Sequence, residues 1–287
     1  MSYQLVWFKR DLRWQDHAAL AQAALRGRVR CIYVIEPELW LQPDAALQHF
    51  EFVRESLQAL DAELQLQGGR LEVHRGELPE VLNRIWHEAP FEQLHAHQET
   101  GNGFTYARDV QVGAWCQQHG VAWHEYPQFG VVRGLKNRNL WQPAWERHMA
   151  EPVQHVGGLK FWHTTAPAHT SPAWCSPSQM QAPAHLQHNP PLRQRGGRPL
   201  ALATLHSFLH ARSLGYRGGI SSPLSAPDAC SRLSAYLAWG CISMREVVQQ
   251  TRAQIAQLPP HASRHRAGLT AFVSRLYWHC HFIQKLE

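Results

Sequence analysis

A chain of 287 residues, 44% hydrophobic and 17% charged, has ordinary globular composition, which excludes a disordered or fibrous sequence and leaves room for one large domain or two smaller ones. Its formal net charge of +6 suits a polyanionic partner, nucleic acid or a phosphate-rich cofactor, without choosing between them. No apolar run approaches the roughly 18 residues of a membrane span, no signal peptide is seen, and six scattered cysteines without a C-x-x-C pair argue for reduced thiols in a cytosolic protein.

Along the first 130 or so residues, strand and helix signals alternate. Short apolar runs at 4–8, 31–35, 71–74, 93–97 and 121–126 predict strands, and helical patterns fill 17–25, 45–66, 78–87 and 105–118 between them. In the second helix, Leu47, Phe50, Val53, Leu57, Leu60 and Leu64 recur at helical spacing. Gly68-Gly69 and Gly120 stand just past helix ends, where a left-handed cap is wanted. Such alternation predicts a doubly wound α/β domain with a five-stranded parallel sheet over residues 1–135.

Residues 136–199 are expected to connect domains, because Pro, His, Gln and Ser dominate "TTAPAHTSPAWCSPSQMQAPAHLQHNPP" and no period survives there. From 200 to 287 the signals are helical. "SRLSAYLAWG" reads as a helix capped by Ser231 and stopped at Gly240, and Ser243 with Glu246 forms a capping box. Twelve tryptophans point to stacking surfaces or a large aromatic core, and core is the simpler reading for any one of them.

Ligands of an open parallel sheet bind beyond the carboxyl ends of its strands. The first such turn, in "LVWFKRDLRW", has neither G-x-G-x-x-G nor a phosphate-binding G-x-x-x-x-G-K-[ST], so no standard NAD or ATP site is present. Arg10, Asp11 and Arg13 there read either as ligand contacts or as a structural ion-pair knot. His95 and His97 share a strand face, but no third metal ligand is evident, and histidines satisfied by the protein are the expectation. On the last helix, Leu269, Phe272, Val273, Leu276, Cys280 and Ile283 form an apolar face. Arg275, Trp278, His279 and Phe282 lie on a second face that suits a flat, anionic ligand, unless the helix is simply packed on both sides.

With these stretches in view, the sequence resembles the photolyase/cryptochrome family. "LVWFKRDLRWQDHAAL" is similar to that family's opening, "YARDVQVGAWC" to the helix after the fourth strand, "SRLSAYLAWGCIS" to its flavin-phosphate motif, and "RLYWHCHFIQ" to the helix carrying flavin and lesion contacts. The resemblance implies a Rossmann-like antenna-type domain, then a linker and the start of an all-α FAD-binding domain. Since family members continue well past this point, it also implies that residues 1–287 are the amino-terminal part of a longer protein and do not hold FAD stably alone.

By position, Tyr216, Ser231, Arg232, Leu233 and Ser234 match flavin-phosphate contacts, Phe272 and Arg275 flavin-side contacts, and Trp278 the lesion-stacking tryptophan, with His279 beside it on the DNA side. The implied chemistry is light-driven electron transfer from reduced FAD to pyrimidine dimers in damaged DNA, by a cytoplasmic monomer that also carries an antenna chromophore of unnamed kind. The charged turn after the first strand is then mainly structural. Three features depart from the pattern. Cys230 stands where the phosphate motif often begins with threonine, and Arg275 and His279 replace a glutamate and an arginine usual in repair enzymes. They give weight to a second reading, a cryptochrome-type blue-light receptor without repair. A third, a nucleotide-binding α/β module without photochemistry, is opposed by the flavin-phosphate segment.

Overall fold

A computed structural model describes residues 2–163 and 174–287, so 164–173 of the Pro-rich stretch lie outside the described residues. It divides into two compact units, residues 1–126 with 154–197, and residues 127–153 with 198–287. The stretch 136–199, expected as one connection, is thus shared between the units. It also contains a helix, Trp141–Ala150 (α6), whose Trp141, Trp145 and Met149 are buried.

In the first unit the elements follow as β1 (Gln4–Phe8), α1 (Ala18–Arg26), β2 (Val29–Ile35), α2 (Pro37–Trp40), α3 (Leu47–Leu66), β3 (Leu71–Arg75), α4 (Leu78–Glu88), β4 (Gln93–His97), α5 (Gly103–His119) and β5 (Ala122–Tyr126). The sheet is five-stranded and parallel in the order β3-β2-β1-β4-β5, as the alternation predicts. In register, Gln4 pairs with Val29 on one side and with Gln93 on the other. β1 and β2 are buried throughout, which explains their near-continuous apolar sequence, whereas the edge strand β5 is half-open. Leu5, Trp7, Ile32, Val34, Leu94 and Ala96 pack with α4 and α5. Gly120 closes α5 in the left-handed region, φ 66°, its N–H reaching the Cys116 and Gln117 carbonyls.

Residues 154–163 and 174–197 lie along this same unit. Val29 donates to the Lys160 carbonyl (2.8 Å), and Cys175 pairs antiparallel with Val73 on edge strand β3, which satisfies that exposed edge locally. Phe161, Met180 and Leu186 anchor them by burial.

The second unit adds α7 (Arg198–His210), a 3-10 turn (Arg212–Gly215), α8 (Tyr216–Gly219), α9 (Ala226–Ala229), α10 (Ser234–Ala238), α11 (Met244–Gln257) and α12 (Ser263–Gln284). The expected capping box is formed. Ser243 Oγ accepts from the Glu246 N–H and Glu246 Oε2 accepts from the Ser243 N–H, each at 3.0 Å, while Arg198 grips the same carboxylate at 2.6 and 3.1 Å. Ser231 is not a helix cap, because Arg232 turns left-handed, φ 56°, and delays the helix to Ser234. Among the described residues no helix is long and apolar enough to cross a membrane.

α12 approaches the 3-10 turn so closely that a Cβ on Gly268 would stand 2.1 Å from the Ser213 carbonyl oxygen. Gly268→Ala should therefore cost about 1–3 kcal/mol of stability, as overpacking against backbone does. In urea unfolding, the exposed Ser274→Ala on the same helix should stay within about 0.5 kcal/mol of the unsubstituted protein. Equal behaviour of the two variants would refute the close contact.

Candidate functional site

The charged turn after β1 faces partners supplied by the neighbouring strand ends. Arg108 of α5 is buried and meets Glu36 after β2 (2.9 Å), Glu99 after β4 (2.7 Å) and Asp109 (2.9 Å). Lys9 pairs with Asp109 (3.3 Å) and Arg10 with Glu99 (3.2 Å). Lys9 and Arg108 both stand over the Trp7 ring, at 4.5 and 4.8 Å. Burial pushes the Glu36 carboxyl up to about 7, against the pull of Arg108. Burial opposes ionisation of Glu99 too, but Arg108, Lys9 and Arg10 outweigh it and hold that carboxyl below its usual range. This network fills the crevice between β1 and β4, where strand order reverses. Arg10 is thus ion-paired within the unit, as the structural reading of the turn expects.

Asp11 is fully buried. Its Oδ1 accepts the Lys9 N–H at 2.6 Å, and its Oδ2 lies 2.7 Å from His97 Nδ1 and 3.0 Å from His17 Nε2. Arg13 is directed to the Asp16 carbonyl (2.9 Å). Asp11, His17 and His97 bring their donor atoms within 4.8 Å of one another, which invites a metal reading. The tautomer of His17 argues against it. Its Nδ1 accepts the Leu20 N–H (3.0 Å) to cap α1, so the ring proton resides on Nε2, which then has no lone pair for a metal. Two donors remain, and the cluster is a carboxylate holding two imidazoles. The sequence pattern puts His17 at the start of α1, in "DHAAL", but carries no sign of its approach to Asp11. His95 is satisfied otherwise, by Gln4 Oε1 (3.2 Å) and the Tyr126 hydroxyl (3.0 Å).

The second unit gathers most of the residues matched to flavin contacts. Tyr216 and Phe272 are buried with Phe208 in an edge-to-face trio, ring centroids 4.6 to 5.8 Å apart. Burial pushes the Tyr216 phenol up, and the positive charge of Arg275 on α12 partly offsets this. In the loop before α10, Leu233 is 1% exposed and acts as an anchor, while Arg232 and Ser234 are open to solvent and Ser231 is half-buried. The left-handed Arg232 is followed by Leu233 in the right-handed region (φ −92°, ψ −7°). Alternation of hand turns successive N–H groups to one side and makes a concavity suited to anions. Two serine hydroxyls and an exposed arginine complete a donor set whose chemistry fits a diphosphate.

On α12, Trp278 is 44% and Phe282 57% exposed, with ring centroids 5.7 Å apart. His279 departs from the expected stripe. One residue further along a helix is about 100° around its axis, and the ring packs half-buried against Phe129 at 5.6 Å. Burial pushes its pKa down.

One unit is an α/β fold with an open parallel sheet, and the other is helical, with a loop rich in donors and an exposed aromatic pair. The DNA photolyase family model matches residues 4–133, so this part of the chain is similar to the photolyase/cryptochrome family. It is 26% identical to a deoxyribodipyrimidine photo-lyase of Streptomyces griseus over 97% of this chain and 59% of that one. It is 34% identical to cryptochrome-2 of Gallus gallus over 117 residues, 40% of this chain and 20% of that one. Its fold is that of the photolyase of Sulfolobus tokodaii solved with two FAD molecules, with TM-score 0.73 and 22% identity over 98% of this chain and 58% of that one. The chain thus spans less than two thirds of the length of each of these relatives.

The buried histidines make stability pH-dependent. Burial first, then neighbouring positive groups, push His95 and His97 from the ordinary 6.5 down to about 3, and His17 also downward. As pH falls from 6.5 the unfolded chain binds protons that the folded one refuses, so stability declines by about 1.4 kcal/mol per pH unit per histidine. Asp11, held well below 3.8 by His17 and His97 despite its burial, contributes stability that is lost only below that value. Urea unfolding at pH 7, 6 and 5 should show this decline, and His97→Asn should make it shallower by about one histidine's share. An unchanged slope in the variant would show that His97 does not stay neutral in the fold.

Proposed function

We propose that the protein is an FAD-dependent photolyase-type enzyme that repairs pyrimidine dimers in DNA. The observation that carries this reading is the loop 231–234, open to solvent on its polar side, in the same unit as Tyr216, Arg275 and the exposed Trp278 and Phe282. When bound, reduced FAD would supply the light-driven single-electron donor. Ser231, Ser234 and the loop N–H groups would hold its diphosphate, and Arg275 would add positive charge. Trp278 would provide the flat apolar surface that a base flipped from the stack requires. The six free thiols suit a reducing compartment, and the cytoplasm is the proposed location.

A cryptochrome-type receptor is the second reading. It is favoured by Arg275, which offers a lesion base no carboxylate acceptor, and by the likeness to cryptochrome-2 of Gallus gallus. Illuminating the reduced native protein with a dimer-containing oligonucleotide separates the two: loss of dimers supports repair, and intact dimers support the receptor.

For Trp278→Ala, affinity for dimer-containing DNA should fall about five- to a hundredfold, the equivalent of a stacking contact of roughly 1–3 kcal/mol. Affinity for undamaged DNA should change little, because phosphate contacts take no account of lesions. Equal losses on both DNAs, measured by fluorescence anisotropy, would mean that Trp278 serves the fold and not the lesion.

A further inference from the structure

From the bonding of a single side chain we infer that Arg212 is the positioning residue of the 231–234 loop, setting its N–H groups to receive a diphosphate. This rests on the flavin reading of that loop. Arg212 precedes the loop by about twenty residues and never touches its outer side. Its Nη1 donates to the Cys230 carbonyl, and its Nη2 to the carbonyls of Ser231 (3.2 Å) and Thr204 of α7 (2.8 Å). Its Nε donates to Ser207 Oγ (3.1 Å), and the guanidinium stands 5.6 Å from the Phe208 ring centroid.

A trans peptide is planar, with C=O and N–H on opposite sides. Drawing the Cys230 carbonyl to Arg212 therefore points the Ser231 N–H away from it, and drawing in the Ser231 carbonyl does the same for the Arg232 N–H. The left-handed turn at Arg232 then directs the Leu233 N–H to Ser231 Oγ (3.5 Å), which closes the loop on itself and leaves the Ser231 and Arg232 N–H groups as its outward donors. The cation thus acts from behind the loop. It satisfies two loop carbonyls that would otherwise face the anion, and it ties them to α7, whose Phe208 and Leu209 are core residues. Donors fixed before the ligand arrives need no reorganisation on binding, which is where affinity for a charged group is gained. Only a guanidinium has the rigid planar fork for this; a lysine ammonium on a flexible stem cannot hold three carbonyls and a hydroxyl in fixed directions.

The consequence is selective. Loss of Arg212 should harm recognition of the diphosphate and leave recognition of the ring system largely intact. Arg212→Met and Arg212→Lys should be made in the native flavoprotein, stripped of flavin, and titrated with FAD and with riboflavin, which lacks phosphate. FAD affinity should fall about ten- to a hundredfold in the methionine variant, as expected when hydrogen bonds to a charged group are lost. The lysine variant should recover only part of this, and riboflavin affinity should change little in either. Thermal melting of the flavin-free proteins checks that both variants fold. Unchanged FAD affinity, or equal losses for FAD and riboflavin, would overturn the positioning role. Failure of the unsubstituted protein to bind FAD would instead overturn the flavin reading on which the inference depends.

Discussion

The first unit is governed by the need to match every charge that the sheet carries into its interior. A parallel sheet delivers the loops after its strands to one end, and here those loops bring Lys9, Asp11, Glu36 and Glu99, all buried or nearly so. Ionised groups out of water cost several kcal/mol each unless they are paired and hydrogen-bonded. Their partners come from the turn after β1, the cap of α1, β4 and α5, segments separated by as many as 100 residues, as in Lys9–Asp109. They meet only if β1 lies between β2 and β4 with the parallel register observed. A strand order with β1 at the edge would leave Arg108 or Asp11 unmatched. Ionic matching and apolar packing thus select the same topology, the consistency that a funnelled sequence requires.

In the second unit arginine has a different task. Its helices are mostly short, and each end leaves carbonyls without intrahelical partners. Arg266 reaches the Ile255 and Leu258 carbonyls at the end of α11, Arg264 the Leu214 carbonyl in the 3-10 turn, and Arg245 the His148 carbonyl near the end of α6. Arg212 belongs to the same pattern. A good part of the basic excess is therefore committed to closing helix ends, and the net charge of +6 overstates the cation available to a polyanion. Charge alone is weak grounds for nucleic-acid binding here.

Sequence periodicity revealed what is local. The strand expected at 31–35 begins at Val29 instead, because Val29 and Arg30 complete the ladder to β1 through Gln4 and Leu5. The helices expected at 78–87 and 105–118 are observed as Leu78–Glu88 and Gly103–His119. Hidden from a linear reading was whatever depends on distant partners. Arg108 sits in a helix of ordinary appearance, and only the fold shows its two strand-end carboxylates. His17 looked like any helix-start residue, and its role depends on Asp11 and on His97, eighty residues on. At the candidate site, the loop and Trp278 were legible from motif resemblance. The delayed start of α10 was not, because a left-handed Arg232 is set by bonds made behind the loop and not by a residue type that favours that conformation.

In the flavin reading, the site divides its tasks between two kinds of matter. The loop offers backbone N–H groups, whose positions are fixed by carbonyls held from behind and which respond to charge whatever base or ring accompanies it. Trp278 and Phe282 offer flat apolar area, which responds to shape and to loss of stacking, and very little to charge. Because the loop depends on Arg212 and the wall on the packing of α12 through Leu269, Phe272, Leu276 and Cys280, the supports are separate. They converge at Tyr216, which packs on Phe272 of α12 and follows the 3-10 turn that begins with Arg212. A side chain at that junction transmits displacement of either support to the other. Its burial among Phe208 and Phe272 is accordingly the part of this unit least free to vary without disturbing both the loop and the aromatic wall.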